Sequence, residues 1–181
     1  RGYATSYLGK WHLDGDAKPG WGPVRKFGFS DNRFMFNRGH WKKFELTKDG
    51  PQVASRKQGK PTYDLGGADE KSFATDWLVD RTLDILERDK KKPFCLMLAL
   101  PDPHGPNTVR APYDTMYDHL TFQQPVTMRK VLAALQNRPG WVTGGSNAVK
   151  KLSQSTLSKY FGMVRCIDDN VGKILRFLEE N

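Results

Sequence analysis

At 181 residues the chain is long enough for one domain, and 38% hydrophobic with 12% aromatic content marks a core-forming rather than disordered sequence. Two cysteines, Cys95 and Cys166, exclude a disulfide scaffold or zinc cluster, and no apolar run is long enough to span a bilayer. The balance of 29 Lys plus Arg against 20 Asp plus Glu, a net charge of +9, favours anionic partners.

The basic residues are spread along the chain. Short runs at Lys42-Lys43, Arg56-Lys57 and Lys90-Lys91-Lys92 read as solvated faces, which argues against nucleic acid as the partner. The chain opens at Arg1-Gly2-Tyr3 with neither an initiator Met nor a signal-peptide pattern. It stops at Glu179-Glu180-Asn181, directly after a helical pattern, and both ends read as cuts through a larger protein.

In chain order, Tyr3 to Lys10 is aromatic and β-compatible, bounded by Gly2 and Gly9, and predicts a strand running into a loop. From Trp11 to Gly67 the chain is rich in Gly, Pro and charge. Short strands are expected at Phe34-Met35-Phe36 and within Trp41 to Thr47, with a turn at Asp49-Gly50. The stretch 14–67 reads as an excursion from the core. A helix follows, capped by Ala68, Asp69 or Ser72, with Phe73, Trp77, Leu78, Ile85 and Leu86 on one face. It closes in a lysine-rich turn before Pro93, which forbids continuation.

Phe94 to Leu100 is continuously apolar and predicts a strand buried on both faces, as in a parallel α/β sheet. A proline-stiffened loop, Pro101-Asp102-Pro103-His104-Gly105-Pro106, comes next. Residues 111–145 are mixed, with a short helix expected near Arg129 to Gln136. From about Ser153 the series Leu157, Phe161, Val164, Ile167, Val171, Ile174 or Leu175, and Leu178 predicts an amphipathic helix packing its stripe on a sheet. These elements imply an α/β fold, yet only two convincing sheet strands are present. The inventory of elements is smaller than such a domain needs.

Two places carry chemistry. In an extended Gly9-Lys10-Trp11-His12, Lys10 and His12 project to the same side, an ammonium beside an imidazole, which suits an anion and a proton transfer. His104 lies just past the carboxyl end of the apolar strand, where α/β sheets place ligands, in a loop its prolines restrict. Read from the residues alone, a surface Lys, a packed His or a turn His accounts for these positions as well. Asn37, Arg38 and His40 are speculative substrate contacts, and His119 reads as structural. Asp168-Asp169 lies beside the apolar stripe and reads as capping or salt-bridging. Cys95 and Cys166 read as buried small hydrophobes rather than nucleophiles.

Together these residues resemble one family. Gly2-Tyr3-Ala4-Thr5-Ser6-Tyr7-Leu8-Gly9-Lys10-Trp11-His12-Leu13 is similar to the second signature of the type I, formylglycine-dependent sulfatases. Pro101 to Pro106, with Ala111-Pro112-Tyr113 and Met116-Tyr117-Asp118, is similar to the family's post-strand His loop. Tyr160 to Glu179 resembles the helix before its next metal-site strand. The resemblance implies an alkaline-phosphatase-like mixed α/β sheet flanked by helices and only partly represented here. The whole chain, 1–181, would be an internal fragment of one catalytic domain of a sulfuric ester hydrolase, with 14–67 its variable part.

The resemblance further implies calcium and a formylglycine nucleophile in the parent protein. Lys10 would bind sulfate, His12 would act as the base that expels it from the covalent intermediate, and His104 would bind sulfate and protonate the leaving alcohol. The substrate would be a sulfated small molecule or carbohydrate. Export to the periplasm, cell exterior or lysosome is common in the family. The Cys-x-Pro-Ser-Arg type nucleophile motif is absent from this sequence, and so are the family's metal ligands, so the fragment is expected to be inactive alone. Two rival readings remain: a phosphate or phosphonate ester hydrolase of the same superfamily, and a non-catalytic basic anion-binding module.

Overall fold

The computed structural model describes residues 2–123 and 153–181; the helix expected near 129–136 lies outside the described residues. Strand β1 (Ala4–Lys10) is the centre of a parallel three-stranded sheet, order β2-β1-β7, with β2 at Met35–Phe36 and β7 at Phe94–Ala99. Its pairing with β7 runs in register from Ala4 opposite Phe94 to Gly9 opposite Ala99. Lys10 pairs with Phe36 on the other side. Two small antiparallel hairpins intervene: β3 (Phe44–Thr47) with β4 (Gly50–Val53), and β5 (Arg56–Lys57) with β6 (Lys60–Pro61). The first turns at Lys48-Asp49, leading into Gly50 at a φ of 108°, as the turn signal requires.

Helix α1 (Ala74–Asp89) packs on the sheet, and α2 (Gln154–Glu180) packs on α1. The main core joins Leu8 of β1 to Phe34, Phe36, Trp41, Phe44 and Val53, and to Ala74, Trp77, Leu78 and Ile85 of α1. The 14–67 stretch is therefore no excursion. It supplies the sheet's third strand and much of the core, because its aromatics are too dispersed to show a period yet converge on one side of α1. Trp77 has edge or tilted ring contacts with Trp21, Phe34 and Phe44.

Three further expectations change. The α1 cap is Phe73, whose side chain makes no capping bond; Asp69 and Ser72 instead bond each other in the turn before it. Strand β7 is not buried on both faces: Leu96 and Leu98 pack on the core, but Cys95 is exposed and Met97 is 50% exposed. Among the described residues β7 is an edge strand, covered by α1 on one face.

Helix α2 does begin after Ser153, whose hydroxyl accepts from the Thr156 N–H at 3.0 Å. Its apolar stripe does not meet the sheet, however. Phe161, Val164, Val171, Leu175 and Leu178 are exposed, and the buried face is Ser158, Gly162, Met163, Cys166 and Asn170. Close approach and polar partners set that rotation. A Cβ on Gly162 would run into the Tyr113 carbonyl, and Asn170 donates at 2.9 Å to the buried Asp76 of α1. Arg110 grips the same carboxylate through two bonds, at 2.7 and 2.8 Å.

Candidate active site

The site forms where β1 and β7 end side by side. Gly9 has a φ of 93°, and any side chain there would strike the Ala99 carbonyl, so only glycine lets the two strand ends meet this closely. Lys10 is the last residue of β1, and the loop carrying His104 starts two residues past β7. Parallel α/β sheets bind ligands at such carboxyl ends.

Lys10, His40 and His104 converge there. The Lys10 ammonium is 3.4 and 3.3 Å from the two ring nitrogens of His40. The His40 ring stacks on that of His104 with centroids 3.5 Å apart and planes inclined by 16°. Burial, and then the charges of Lys10, His104, Lys42 and His12, push the His40 pKa down to about 4. His40 is thus a neutral imidazole at ordinary pH, set among cations. Burial also holds the Lys10 ammonium below its ordinary pKa.

His12 has a different backbone geometry from the one its spacing suggests. The extended alternation stops at Lys10, and His12 adopts a left-handed φ of 59°. Its N–H donates to the Asn37 carbonyl at 2.7 Å, while its side chain is exposed. The side chains of Asn37 and Arg38 turn to the preceding loop. The Asn37 side chain is buried against the loop 14–17, donating to the carbonyls of Asp14 and Gly15 and accepting from the Asp14 N–H. Arg38 donates to the Gly15 carbonyl at 3.1 Å and pairs with Asp16 at 3.2 Å. Both residues brace the loop leading to Lys18.

Beneath the cluster lies a charge pair that the sequence did not mark. Lys42, expected on a solvated face, is fully buried, with its ammonium 2.5 Å from Asp102 Oδ1 and 3.4 Å from the His104 carbonyl. Thr75 donates to the other Asp102 oxygen at 3.1 Å. Burial pushes the Asp102 carboxyl up in pKa, opposed by Lys42 and the Thr75 hydroxyl. A Lys beside another Lys carries no sign of burial; the available hint was an Asp in the loop just past an apolar strand. Elsewhere, Asp169 takes the salt-bridging part expected of it, bonding Arg165 and the Tyr113 hydroxyl, each at 2.9 Å.

The sulfatase family model matches residues 1–181, the whole chain. The chain belongs to the sulfatase family. A curated relative, the N-acetylglucosamine-6-O-sulfatase of Bacteroides thetaiotaomicron, is 27% identical to this sulfatase chain over 132 residues. That match covers 70% of the chain and 19% of the relative. An uncharacterized sulfatase of Schizosaccharomyces pombe is 22% identical over 98% of the chain and 36% of its own length.

Among solved structures, BT4656 in complex with its substrate D-glucosamine-2-N,6-O-disulfate matches with a TM-score of 0.53 at 17% identity. It covers 99% of the chain and 44% of that structure. Ps i-CgsB matches with a TM-score of 0.52 at 21% identity over 98% of the chain and 34% of its own. These structures have the alkaline-phosphatase-like fold, and the sulfatase chain shares its mixed α/β architecture. The chain spans less than half the length of each of these relatives.

The gathered residues do not suit the calcium ion that the family implies. Calcium takes about six to eight oxygen ligands, whereas this cluster offers ammonium and imidazole nitrogens, and Asp102 is already engaged by Lys42 and Thr75. Among the described residues, no group of three or more His, Cys, Asp or Glu is placed to hold a metal.

Proposed function

We propose that this chain supplies the sulfate-binding and acid–base groups of a sulfuric ester hydrolase, within a longer parent protein. The observation that carries the reading is the convergence of Lys10, His40 and His104 at the adjoining ends of β1 and β7. A sulfuryl group in transfer concentrates negative charge on its oxygens, which preorganised cations and N–H donors stabilise. Lys10 binds those oxygens, His104 binds sulfate and protonates the departing alcohol, and His12 acts as the base that releases sulfate. His40, held neutral, packs against both Lys10 and His104 without adding a charge of its own. The formylglycine nucleophile and the calcium belong to the parent. The names of the Bacteroides relative and of the BT4656 ligand favour a sulfated sugar as substrate.

The test compares an aryl sulfate with the matching aryl phosphate on the purified full-length protein. The sulfate is expected to turn over, and Lys10→Ala and His104→Ala should each lower kcat by about 100-fold or more. Faster turnover of the phosphate would move the protein to the phosphate-ester branch of the superfamily. Full activity of both variants would reduce the chain to an anion-binding module. The isolated 181-residue chain should show no turnover, since neither cysteine lies in a nucleophile motif.

A further inference from the structure

A cavity of about 360 Å³ opens beside the Lys10–His40–His104 cluster, lined by Lys18, Trp41, Lys60, Pro61, Thr62 and Tyr63. Its wall adjoins the cluster through aromatic contacts: the Tyr63 ring centroid is 6.0 Å from that of His40 and 4.7 Å from that of Trp41. The Lys18 ammonium stands over both aromatic rings, 5.0 Å from the Tyr63 centroid and 5.7 Å from the Trp41 centroid. Lys60 faces the cavity from the β5–β6 hairpin.

The walls are held in place from behind. Trp41 is buried, and its indole N–H donates to the Arg38 carbonyl at 2.8 Å. The Pro19 carbonyl, next to Lys18, accepts from the N–H groups of Asn37 and Arg38 at 2.8 and 3.1 Å. The Thr62 hydroxyl is turned toward Asp64 at 3.0 Å, which leaves the two ammonium groups as the charged donors of the cavity. The hairpin that carries Lys60 is tied to the core side by the Thr62 N–H, which donates to the Ser55 carbonyl at 2.9 Å.

We propose that this cavity is a second anion subsite, and that it selects saccharide esters carrying a second sulfate beside the one being cleaved. Tyr63, half-buried, offers an apolar face for the C–H side of a sugar ring, while Lys18 and Lys60 meet the second sulfate. Two cations on separate segments, one over an aromatic pair and one on the β5–β6 hairpin, fit a spread polyanion better than a compact monoester. The proposal rests on the sulfate-ester reading of the neighbouring cluster.

Both can be tested separately on the full-length protein. Turnover of an aryl sulfate, which bears no second anion, tests the cluster alone. Calorimetric titration with a monosulfated and a disulfated galactose tests the subsite, whether or not either sugar is hydrolysed. The disulfated sugar should bind tighter. Lys18→Ala and Lys60→Ala should each weaken that binding by about tenfold, with the monosulfated sugar and the aryl sulfate unaffected. Lys18→Arg should retain the preference, since it keeps the charge. Equal affinity for the two sugars in the wild type, or an equal loss for both sugars in the alanine variants, would overturn the subsite. Loss of aryl sulfate turnover in the wild type would instead sink the cluster reading and leave the calorimetric result to decide the subsite.

Discussion

The ammonium of Lys42 lies 2.5 Å from the carboxylate of Asp102, with both side chains sealed from solvent. Two segments 60 residues apart are pinned by this pair: the one entering β3 and the His104 loop. Removing one partner leaves the other as an uncompensated buried charge. Lys42→Met should therefore destabilise the full-length protein by about 3–5 kcal/mol. Adding Asp102→Asn should recover part of the loss, because Asn still accepts from Thr75. Urea unfolding of the two singles and the double gives the coupling. A neutral Lys42→Met single would show that the pair is not closed in solution.

His40 should not titrate in the range where histidines ordinarily do. Its pKa of about 4 comes first from burial and then from Lys10, His104, Lys42 and His12. Between that value and the ordinary 6.5, the unfolded chain binds a proton that the folded one does not. Stability from this group is thus present above pH 6.5 and lost as pH falls toward 4. The imidazole proton resonances of His40, followed by NMR, should stay at their neutral positions down to about pH 5. Lys10→Ala should raise the midpoint.

Asp76 contributes a pH dependence of the same sign, at lower pH. Burial alone would raise its pKa, but hydrogen bonds from Arg110 and Asn170 and the Arg110 charge outweigh it, so the carboxyl sits below its ordinary value. Its folded pKa being depressed, the stabilisation is present above the ordinary carboxylate pKa and disappears as pH falls through the lowered one. Asp76→Asn should flatten the acid limb of the stability profile and, by stranding Arg110, cost about 3–5 kcal/mol near neutral pH. Urea midpoints across the acid range check both. An unchanged acid limb would reject the assignment.

Two glycines of α2 should respond in opposite ways to alanine. Replacing a helical glycine ordinarily stabilises by about 0.5–1 kcal/mol. At Gly172 the nearest atom to a new Cβ is the flexible tip of Arg176 at 3.5 Å, so that gain is expected in full. At Gly162 the Cβ meets the Tyr113 backbone, and the change should instead cost about 1–3 kcal/mol as α2 is pushed away. Thermal midpoints of the two variants should move apart. A stabilising Gly162→Ala would mean that α2 does not lie this close to Tyr113.

Some of this was legible in residue order and some was not. Strand β1, both helices and the apolar strand β7 follow from periodicity and breakers, and the start of α2 from its Ser153 cap, all of which are local. Lys10 and His104 could be placed at strand ends because the strands around them are recognisable. Lys42 and Asp76 could not be singled out, since a buried charge looks like an exposed one until its partner arrives from elsewhere in the chain. Asn37 and Arg38, whose pattern suggests substrate contacts, have side chains that hydrogen-bond the loop before Lys18, a pairing between segments more than 20 residues apart that residue order does not show. The rotation of α2 was misjudged for a related reason. The apolar stripe gives the helix its period, but Gly162 and Asn170 decide which face is buried, through Tyr113 and Asp76.

By itself the sequence determined the element types, the basic balance and the motifs around Lys10 and His104. Those are properties of neighbours along the chain, expressed through backbone preference and spacing. Tertiary structure alone decided that His40 meets Lys10 and stacks on His104, that aromatics of 14–67 join the core, and that Lys18 and Lys60 share one cavity. Each of these joins residues far apart in the chain, and close packing fixes them only when the strands and hairpins have met.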